Sequence, residues 1–313
     1  MPPTTDPQNS RHGTGHNVPT RYVGRFAPSP TGQLHFGSLV AAVASFADAR
    51  SHNGVWLLRN DDVDQSRTVV GSAQDIMATL RAFGFSWDGP VHHQSQRQNH
   101  YADAIDKLRQ RDLVYPCRCS RRQVEAAGRR GADGIIYPGT CLNWNGIGTE
   151  RVSVRLRTSD QQIRINDQIC GCVHQNLARE CGDFVIQRAD GFTAYQLAVV
   201  VDDFIDGITH VVRGADLLSS TPRQVFLQQQ LNYPNPVYAH IPLARDHDGN
   251  KLSKYDDAHP VNPAQPLGAL HMAWEFLGQP PLPNPCDNVD QFWMMAIPAW
   301  SIKRIEQFKS LPD

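Results

Sequence analysis

Two segments far apart in the chain carry residues suited to holding a polyphosphate. The first is Arg25–Ser38, RFAPSPTGQLHFGS. Here a strand-like stretch gives way to a Pro- and Gly-rich loop, and a helical pattern begins near His35. Such a turn directs backbone N–H groups and the positive end of a helix at one spot, which suits a phosphate. His35 can donate a hydrogen bond to a phosphate oxygen, and Gly37 leaves room for a flat base or a ribose. The second segment is Lys251-Leu252-Ser253-Lys254, inside the polar loop RDHDGNKLSKYDD. Two lysines three apart can converge on one polyphosphate and offset the charge that grows on a leaving pyrophosphate. Each pattern alone also has a plain explanation: a strand–helix turn that happens to begin with His, and a solvated pair of loop charges.

Two further groups could do chemistry. Cys117-Arg118-Cys119, taken with Cys141, offers three thiols that could chelate one metal ion. With a fourth ligand they would close a tetrahedral structural zinc site. Cys170, Cys172, Cys181 and His174 are rival ligands, or core thiols. Arg118, Arg121, Arg122, Arg129 and Arg130 fall close together, opposed only by Glu125. Arginine suits phosphate contacts, so this cluster could meet nucleic acid, or it could be a solvated helix face.

The elements that must position these residues can be read from the surrounding pattern. Thr20–Pro28 and Gly54–Asn60 read as strands, and the nearly continuous apolar stretch Leu34–Arg50 between them reads as a helix. Two strands joined by a helix predict a βαβ unit with parallel pairing. Amphipathic helices are predicted over Gly71–Phe83 and His100–Arg111. Residues 112–167 break the pattern with three cysteines, several glycines and the arginine cluster, and read as an insertion between two halves of a nucleotide-binding fold. Strands are then predicted at Phe184–Arg188, Ile208–Arg213 and Tyr238–Leu243, and helices at Leu197–Phe204 and Pro222–Leu231. Past Pro260 the chain is Pro-rich, with helices predicted at Leu267–Leu277 and Gln291–Phe308. Of the 313 residues 40% are hydrophobic and the net charge is −1, so whole-chain charge argues neither for nor against nucleic acid. No apolar run reaches the ~20 residues of a membrane helix. Residues 1–20 lack an apolar signal stretch and read as a disordered tail. Seven cysteines without an export signal argue against a disulfide framework. The expectation is a cytoplasmic protein, acting as a monomer and away from membranes.

The Arg25–Ser38 string resembles the first motif of the class I aminoacyl-tRNA synthetases in its glutamate-specific form. That motif usually ends His-x-Gly-His. Ser38 in place of the second His resembles the ending in the short branch of the family, the glutamyl-Q tRNA(Asp) synthetases. Lys251–Lys254 resembles the second motif, Lys-Met-Ser-Lys-Ser, with Leu252 for Met and Tyr255 for the last Ser. The block Asp183–Leu217 resembles the glutamyl synthetase core almost throughout. The resemblance spans roughly residues 21–255. It implies an α/β fold of the class I type, with a Rossmann-like catalytic domain over 21–111 and 168–245. It also implies an inserted zinc- and acceptor-binding subdomain over 112–167 and a KLSK loop with a short helical region over 246–313.

The resemblance implies roles as well. His35, Gly37, Ser38, Lys251 and Lys254 would meet ATP, which arrives with Mg²⁺. Arg25, Ala27, Ser29, Tyr195 and Arg213 would line a glutamate pocket, where the planar fork of an Arg matches a carboxylate. Taken alone, Arg213 could equally cap a strand and pair with Asp216. Asp61 stands where the family has a Glu that holds the substrate ammonium; it keeps the charge with one methylene less reach, and a solvated acidic turn is the alternative. The family's Cys-x-Cys and Tyr-x-x-x-Cys pattern implies one structural zinc on Cys117, Cys119, Tyr137 and Cys141. The implied reaction activates L-glutamate with ATP and transfers it to queuosine in the anticodon of tRNA(Asp). Only 59 residues follow Lys254, too few for the anticodon-reading domain of a full glutamyl-tRNA synthetase. Three alternatives stay open on sequence: charging of a tRNA 3′ end, acyl-adenylate transfer to a small molecule, and a non-catalytic tRNA-binding paralogue.

Overall fold

The computed structural model describes residues 21–131, 134–146, 151–243 and 260–305. The expected tail over 1–20 lies outside the described residues, as does the lysine pair Lys251 and Lys254.

The chain opens with β1 (Val23–Phe26), α1 (Phe36–Ser51) and β2 (Val55–Asn60), the predicted βαβ unit. β1 and β2 pair in parallel with Val23 opposite Val55. α1 buries ten residues, among them Ala42, Ala44, Ala47 and Ala49, whose short side chains let the helix lie close against the sheet. α2 (Ser72–Ala82) follows and is closed by Gly84 at φ +76°, a left-handed position that glycine takes without penalty. The short β3 (His92–His93) extends the parallel sheet beyond β2, and α3 (Gln98–Gln110) leads away from it.

Residues after α3 build an inserted antiparallel region, which packs back on the parallel half at Gln162–Asp167 against Thr221–Leu231 and Val237–Ile241. It comprises β4 (Val114–Cys117), α4 (Arg121–Ala127), β5 (Arg129–Gly131), β6 (Gly134–Ile136), β7 (Ser153–Leu156), β8 (Gln162–Asp167), β9 (Gly171–Asn176) and a single turn, α5 (Leu177–Glu180). β10 (Phe184–Gln187), predicted as a strand, pairs antiparallel with β7, which pairs antiparallel with β4. β5–β6 and β8–β9 are antiparallel hairpins.

The parallel half resumes with α6 (Tyr195–Ile205), β11 (His210–Gly214), α7 (Thr221–Leu231) and β12 (Val237–Ile241). β11 and β12 are parallel, and Arg213 stands opposite His240. Thr209 joins the two ladders: its N–H donates to Val23 O at 2.9 Å and its carbonyl accepts from Val237 N–H at 2.8 Å. The spatial order is therefore β3-β2-β1-β11-β12, and α1 packs on β1 and β11. The polar end of the sheet, where β1, β2 and β11 finish, is the carboxyl edge, where open α/β sheets place ligands.

α8 (Pro266–Phe276) and α9 (Val289–Ala299) close over the outer side of α1. Phe46, Trp56, Phe85 and Trp293 pack ring on ring there, with centroids 4.8–5.7 Å apart. The indoles find partners: Trp293 Nε1 donates to Phe83 O at 2.9 Å, Trp300 Nε1 to Asp48 Oδ1 at 2.9 Å, Trp274 Nε1 to Pro280 O at 2.8 Å and Trp56 Nε1 to Ser45 Oγ at 3.1 Å. The helix expected over Gln291–Phe308 stops at Ala299. Pro298 in its last turn cannot donate to the helix ladder, and Trp300 is extended at ψ 138°. Among the described residues no helix is long and apolar enough to cross a membrane.

Candidate active site

At the polar end of β1, β2 and β11 lies an open cleft of about 690 Å³. Every described residue assigned above to nucleotide or glutamate lines it: Arg25, Ala27, Ser29, His35, Gly37, Ser38, Asp61, Tyr195 and Arg213. These come from four separate stretches, brought together because parallel strands all end on the same edge. A smaller chamber of about 230 Å³ adjoins it, sharing Ser29, Thr31, Asp61, Arg67 and Tyr195 and adding Asp64, Gln94 and Arg188. The chain leaves the described residues at Leu243, a wall of the cleft, and re-enters at Pro260, which forms a β-bridge with His35. Lys251 and Lys254 lie between these two points in sequence.

His35 is the N-cap of α1. Its Nδ1 accepts the Ser38 N–H at 3.2 Å, and its Nε2 lies 3.0 Å from Ser38 Oγ. The residue that departs from the usual motif ending is thus a direct neighbour of the His that remains. Gly37 has a local reason to be glycine: a Cβ there would sit 3.3 Å from His35 Nδ1.

Below the cleft is a buried charge network. Arg25 on β1 bonds Asp203 through Nε and Nη2, at 3.2 and 3.3 Å. Arg59 on β2 reaches Asp61 and Asp203, each at 2.7 Å, and lies 3.5 Å from Asp206. Arg97 bonds Asp202 and Asp206 at 3.1 and 2.6 Å, and Gln94 and the Tyr101 hydroxyl donate to Asp202. Three guanidiniums face four carboxylates, which leaves an excess of negative charge beside the cleft, where a cationic ligand group would balance it. Burial raises the Asp61 carboxyl to about 6 even with Arg59 beside it. Burial also pushes Asp203 upward, but Arg25 and Arg59 outweigh it and hold that carboxyl below the ordinary range. Asp202 stays raised, chiefly by burial.

Arg213 supplies the opposite charge. Its Nε donates to His240 at 3.1 Å and its Nη2 to Thr221 and Gln224 at 2.9 and 2.7 Å, while Nη1 has no protein partner. A buried guanidinium nitrogen left unpaired is costly unless a ligand takes it. Tyr195, the first residue of α6, stands between the two chambers. The cleft thus offers a donor for an anion at Arg213 and an acceptor for a cation at Asp61, the pair of charges an amino acid presents.

In the inserted layer Cys117, Cys119 and Cys141 come together, their sulfurs all within 4.8 Å of one another and Cys119 to Cys141 at 3.5 Å. Tyr137 Oη lies 3.4 Å from Cys117 Sγ and 3.8 Å from Cys119 Sγ. Zinc at about 2.3 Å from each sulfur would hold tetrahedral sulfurs about 3.8 Å apart, so the donor set fits. Arg155, which the sequence did not single out, donates to Cys117 Sγ at 3.2 Å and covers the Tyr137 ring at 3.7 Å. Burial pushes the Cys117 thiol up, but bonds from Tyr137 and Arg155 outweigh it and bring it down to about 7. The rivals do not join this group: Cys170 Sγ donates to His240 O at 3.6 Å and Cys172 is exposed on β9. Arg118, Arg121, Arg122, Arg129 and Arg130 are all exposed around the cluster, with Arg118 5.0 Å over the Trp144 ring.

Sequence reading missed the supporting set: Arg59, Arg97, Asp202, Asp203 and Asp206 under the cleft, and Asp167, Thr221, Gln224 and His240 behind Arg213. One signal was visible, the Asp202-Asp203 pair in an otherwise apolar helix, where a buried charge needs a partner.

Residues 21–266 match the model of the tRNA synthetases class I (E and Q), catalytic domain. The chain is 52% identical over 287 residues to a glutamyl-Q tRNA(Asp) synthetase of Verminephrobacter eiseniae, covering 89% of this chain and 97% of the relative. A second such protein, from Aromatoleum aromaticum, is 50% identical over 282 residues, covering 90% and 89%. The fold is similar to that of a glutamate-tRNA synthetase from Elizabethkingia anophelis, with a TM-score of 0.75 at 26% identity, over 91% of this chain and 67% of that one. With the βαβ core, the cleft at its polar edge and these similarities together, the chain belongs to the glutamyl-Q tRNA(Asp) synthetase branch of the class I tRNA synthetases.

Proposed function

We propose that this chain joins ATP and L-glutamate to form glutamyl adenylate, and then passes the glutamyl group to queuosine in the anticodon of tRNA(Asp). One observation carries the glutamate reading: a cleft lined by Arg213, whose buried Nη1 has no protein partner, and by Asp61, together with every other described residue the motifs had assigned.

In the first step a carboxylate oxygen of glutamate attacks the α-phosphorus of ATP, and the bond to the bridging oxygen of pyrophosphate breaks. His35 at the N-terminus of α1 would donate to a phosphate oxygen, with Gly37 and Ser38 beside it. Lys251 and Lys254 would neutralise the departing pyrophosphate, together with the Mg²⁺ that accompanies ATP in this class. Arg25 and Arg213 supply positive charge around the substrate, Asp61 takes its ammonium, and Ala27, Ser29 and Tyr195 shape the pocket. Much of the rate would come from holding the reactants in line. In the second step an acceptor hydroxyl oxygen attacks the glutamyl carbonyl carbon, AMP leaves, and the hydroxyl proton is lost to the surroundings.

Cys117, Cys119, Tyr137 and Cys141 would hold one zinc ion, whose contribution when bound is to fix the inserted layer. The exposed arginines around it would meet tRNA phosphates. The domain division read from the sequence, with a catalytic half on each side of an inserted acceptor layer, is kept in this proposal, with the antiparallel strands running on past 167 to Gln187.

The test uses purified protein, ATP, Mg²⁺, radiolabelled glutamate and tRNA(Asp) with or without queuosine, followed by excision of the anticodon loop. Label in the loop, present only with queuosine, is expected. Label on the terminal adenosine and none in the loop would refute the acceptor assignment and leave glutamate activation standing.

A further inference from the structure

The side chain of Arg213 is held from behind by a chain of buried groups with a fixed polarity. His240 lies opposite Arg213 on the neighbouring strand and is fully buried. Its Nδ1 is 2.6 Å from an oxygen of Asp167, and its Nε2 is 3.1 Å from Arg213 Nε and 3.0 Å from Thr221 Oγ1. Asp167 is itself pinned, because its other oxygen accepts the N–H groups of Ile169, Cys170 and His240 at 3.0, 2.8 and 3.2 Å.

The order of donors follows from valence. Burial pushes the Asp167 carboxyl up, but the His240 ring, with the N–H groups of Cys170 and Ile169, holds it below the ordinary range; the ring's other nitrogen faces Arg213 Nε, which can only donate, so that nitrogen must accept. Nδ1 of His240 must therefore carry the hydrogen. Burial keeps the ring neutral, so Nε2 presents a lone pair. With Nε and Nη2 both committed to neighbours, the planar guanidinium of this cleft-lining residue has one orientation left, and Nη1 is the nitrogen that no protein group takes.

We propose that Asp167 and His240 are a positioning pair that orients Arg213 for a substrate carboxylate and thereby sets the affinity for glutamate. The proposal rests on the reading of Arg213 as a glutamate ligand. The pair touches no substrate; it acts through the tautomer of one imidazole. A protonated or Nδ1-unprotonated ring would aim an N–H at Arg213 and turn the fork away.

The experiment measures KM for glutamate and for ATP separately, by pyrophosphate–ATP exchange, in Arg213→Ala, His240→Leu, His240→Gln and Asp167→Asn, with tRNA present throughout. His240→Leu is expected to raise KM for glutamate about tenfold, the size of one lost bond to a charged group, and to leave KM for ATP within about twofold. His240→Gln places an amide oxygen near the position of Nε2 and should recover part of the loss. Asp167→Asn no longer fixes the tautomer and should raise KM for glutamate as well. If His240→Leu does not fold, the Gln and Asn variants carry the decision. An unchanged glutamate KM in folded His240 variants, while Arg213→Ala raises it, overturns the positioning role. Equal increases for ATP and glutamate also overturn it, since general loosening of the site would give that result. No effect of Arg213→Ala on glutamate removes the underlying reading, and the proposal with it.

Discussion

Replacing Arg59 with methionine should destabilise this protein more than almost any other single change below the cleft. The guanidinium is buried and holds Asp61 and Asp203 at 2.7 Å each, with Asp206 at 3.5 Å and Asp202 at 3.9 Å. Methionine fills much of the volume but removes the charge, leaving four carboxylates to Arg25 and Arg97. Breaking a buried pair from one side costs about 3–5 kcal/mol, a large part of a total stability of about 5–15 kcal/mol. At about 2–4 °C per kcal/mol, Tm should fall by roughly 6–20 °C at pH 7. The loss should depend on pH in a defined direction. Asp61 already has its carboxyl raised to about 6, and without Arg59 it must rise further. A carboxyl with a raised folded pKa costs stability when ionised, and that cost disappears as pH falls through the folded value toward the unfolded one, about 4. The gap in Tm between wild type and variant should therefore narrow as pH falls from the variant's higher Asp61 value toward 6, where the wild-type carboxyl also takes up its proton, and level off below it; a second change, Asp61→Asn, should narrow it at pH 7. Thermal melts at several pH values decide the matter. A variant that melts with the wild type, or a gap that stays constant from pH 8 to pH 5, would refute the reasoning.

Glutamate binding should weaken below about pH 6, because Asp61 then takes up a proton and no longer attracts the substrate ammonium; KM for glutamate against pH shows it, and Asp61→Asn should raise that KM and flatten the profile. The purified protein should carry one zinc per chain by elemental analysis, and Cys141→Ser should lose it to a chelator faster than wild type does; a full metal complement in that variant would show that the sulfur cluster is not the site. Ser38→Ala removes the hydroxyl 3.0 Å from His35 Nε2 and should raise KM for ATP severalfold with little change in KM for glutamate. An effect on glutamate alone would place His35 elsewhere in the reaction.

What could be read from the residues, and what could not, follows from how each part of the site is built. Arg25, Ala27, Ser29, His35, Gly37 and Ser38 sit in one short stretch of chain, from the end of β1 to the start of α1, so their spacing carries a pattern before any folding is known. Of the sulfur cluster, the Cys117-x-Cys119 pair with Cys141 was legible as three thiols, while Tyr137 came only with the family's pattern. The groups that make these residues work are spread over the whole chain. Arg25 meets Asp203 across 178 positions, Arg59 meets the same carboxylate across 144, and His240 meets Asp167 across 73. No local spacing encodes such pairs; they exist only once β1, β2 and β11 lie side by side with α6 beneath them. The helix expected over Gln291–Phe308 failed for the converse reason, because a strong apolar period was read through Pro298, a residue whose missing N–H outweighs the pattern.

The distribution of charge explains why those distant partners matter to function. A pocket for glutamate must attract an ammonium and a carboxylate within a few ångströms without collapsing into its own ion pairs. Here the two demands are separated by the sheet. The acidic excess lies under β2 and α6, where Arg25, Arg59 and Arg97 hold the carboxylates apart, and Asp61 is the member that reaches the cleft. The positive donor comes from β11 and is backed by neutral or hydrogen-bonding groups: His240, Thr221 and Gln224. Were a free carboxylate placed behind Arg213 in place of His240, the guanidinium would be satisfied and its pull on a substrate reduced. An imidazole whose tautomer is fixed by Asp167 orients the guanidinium while cancelling less of its charge, so the site can remain open to a substrate that carries both signs.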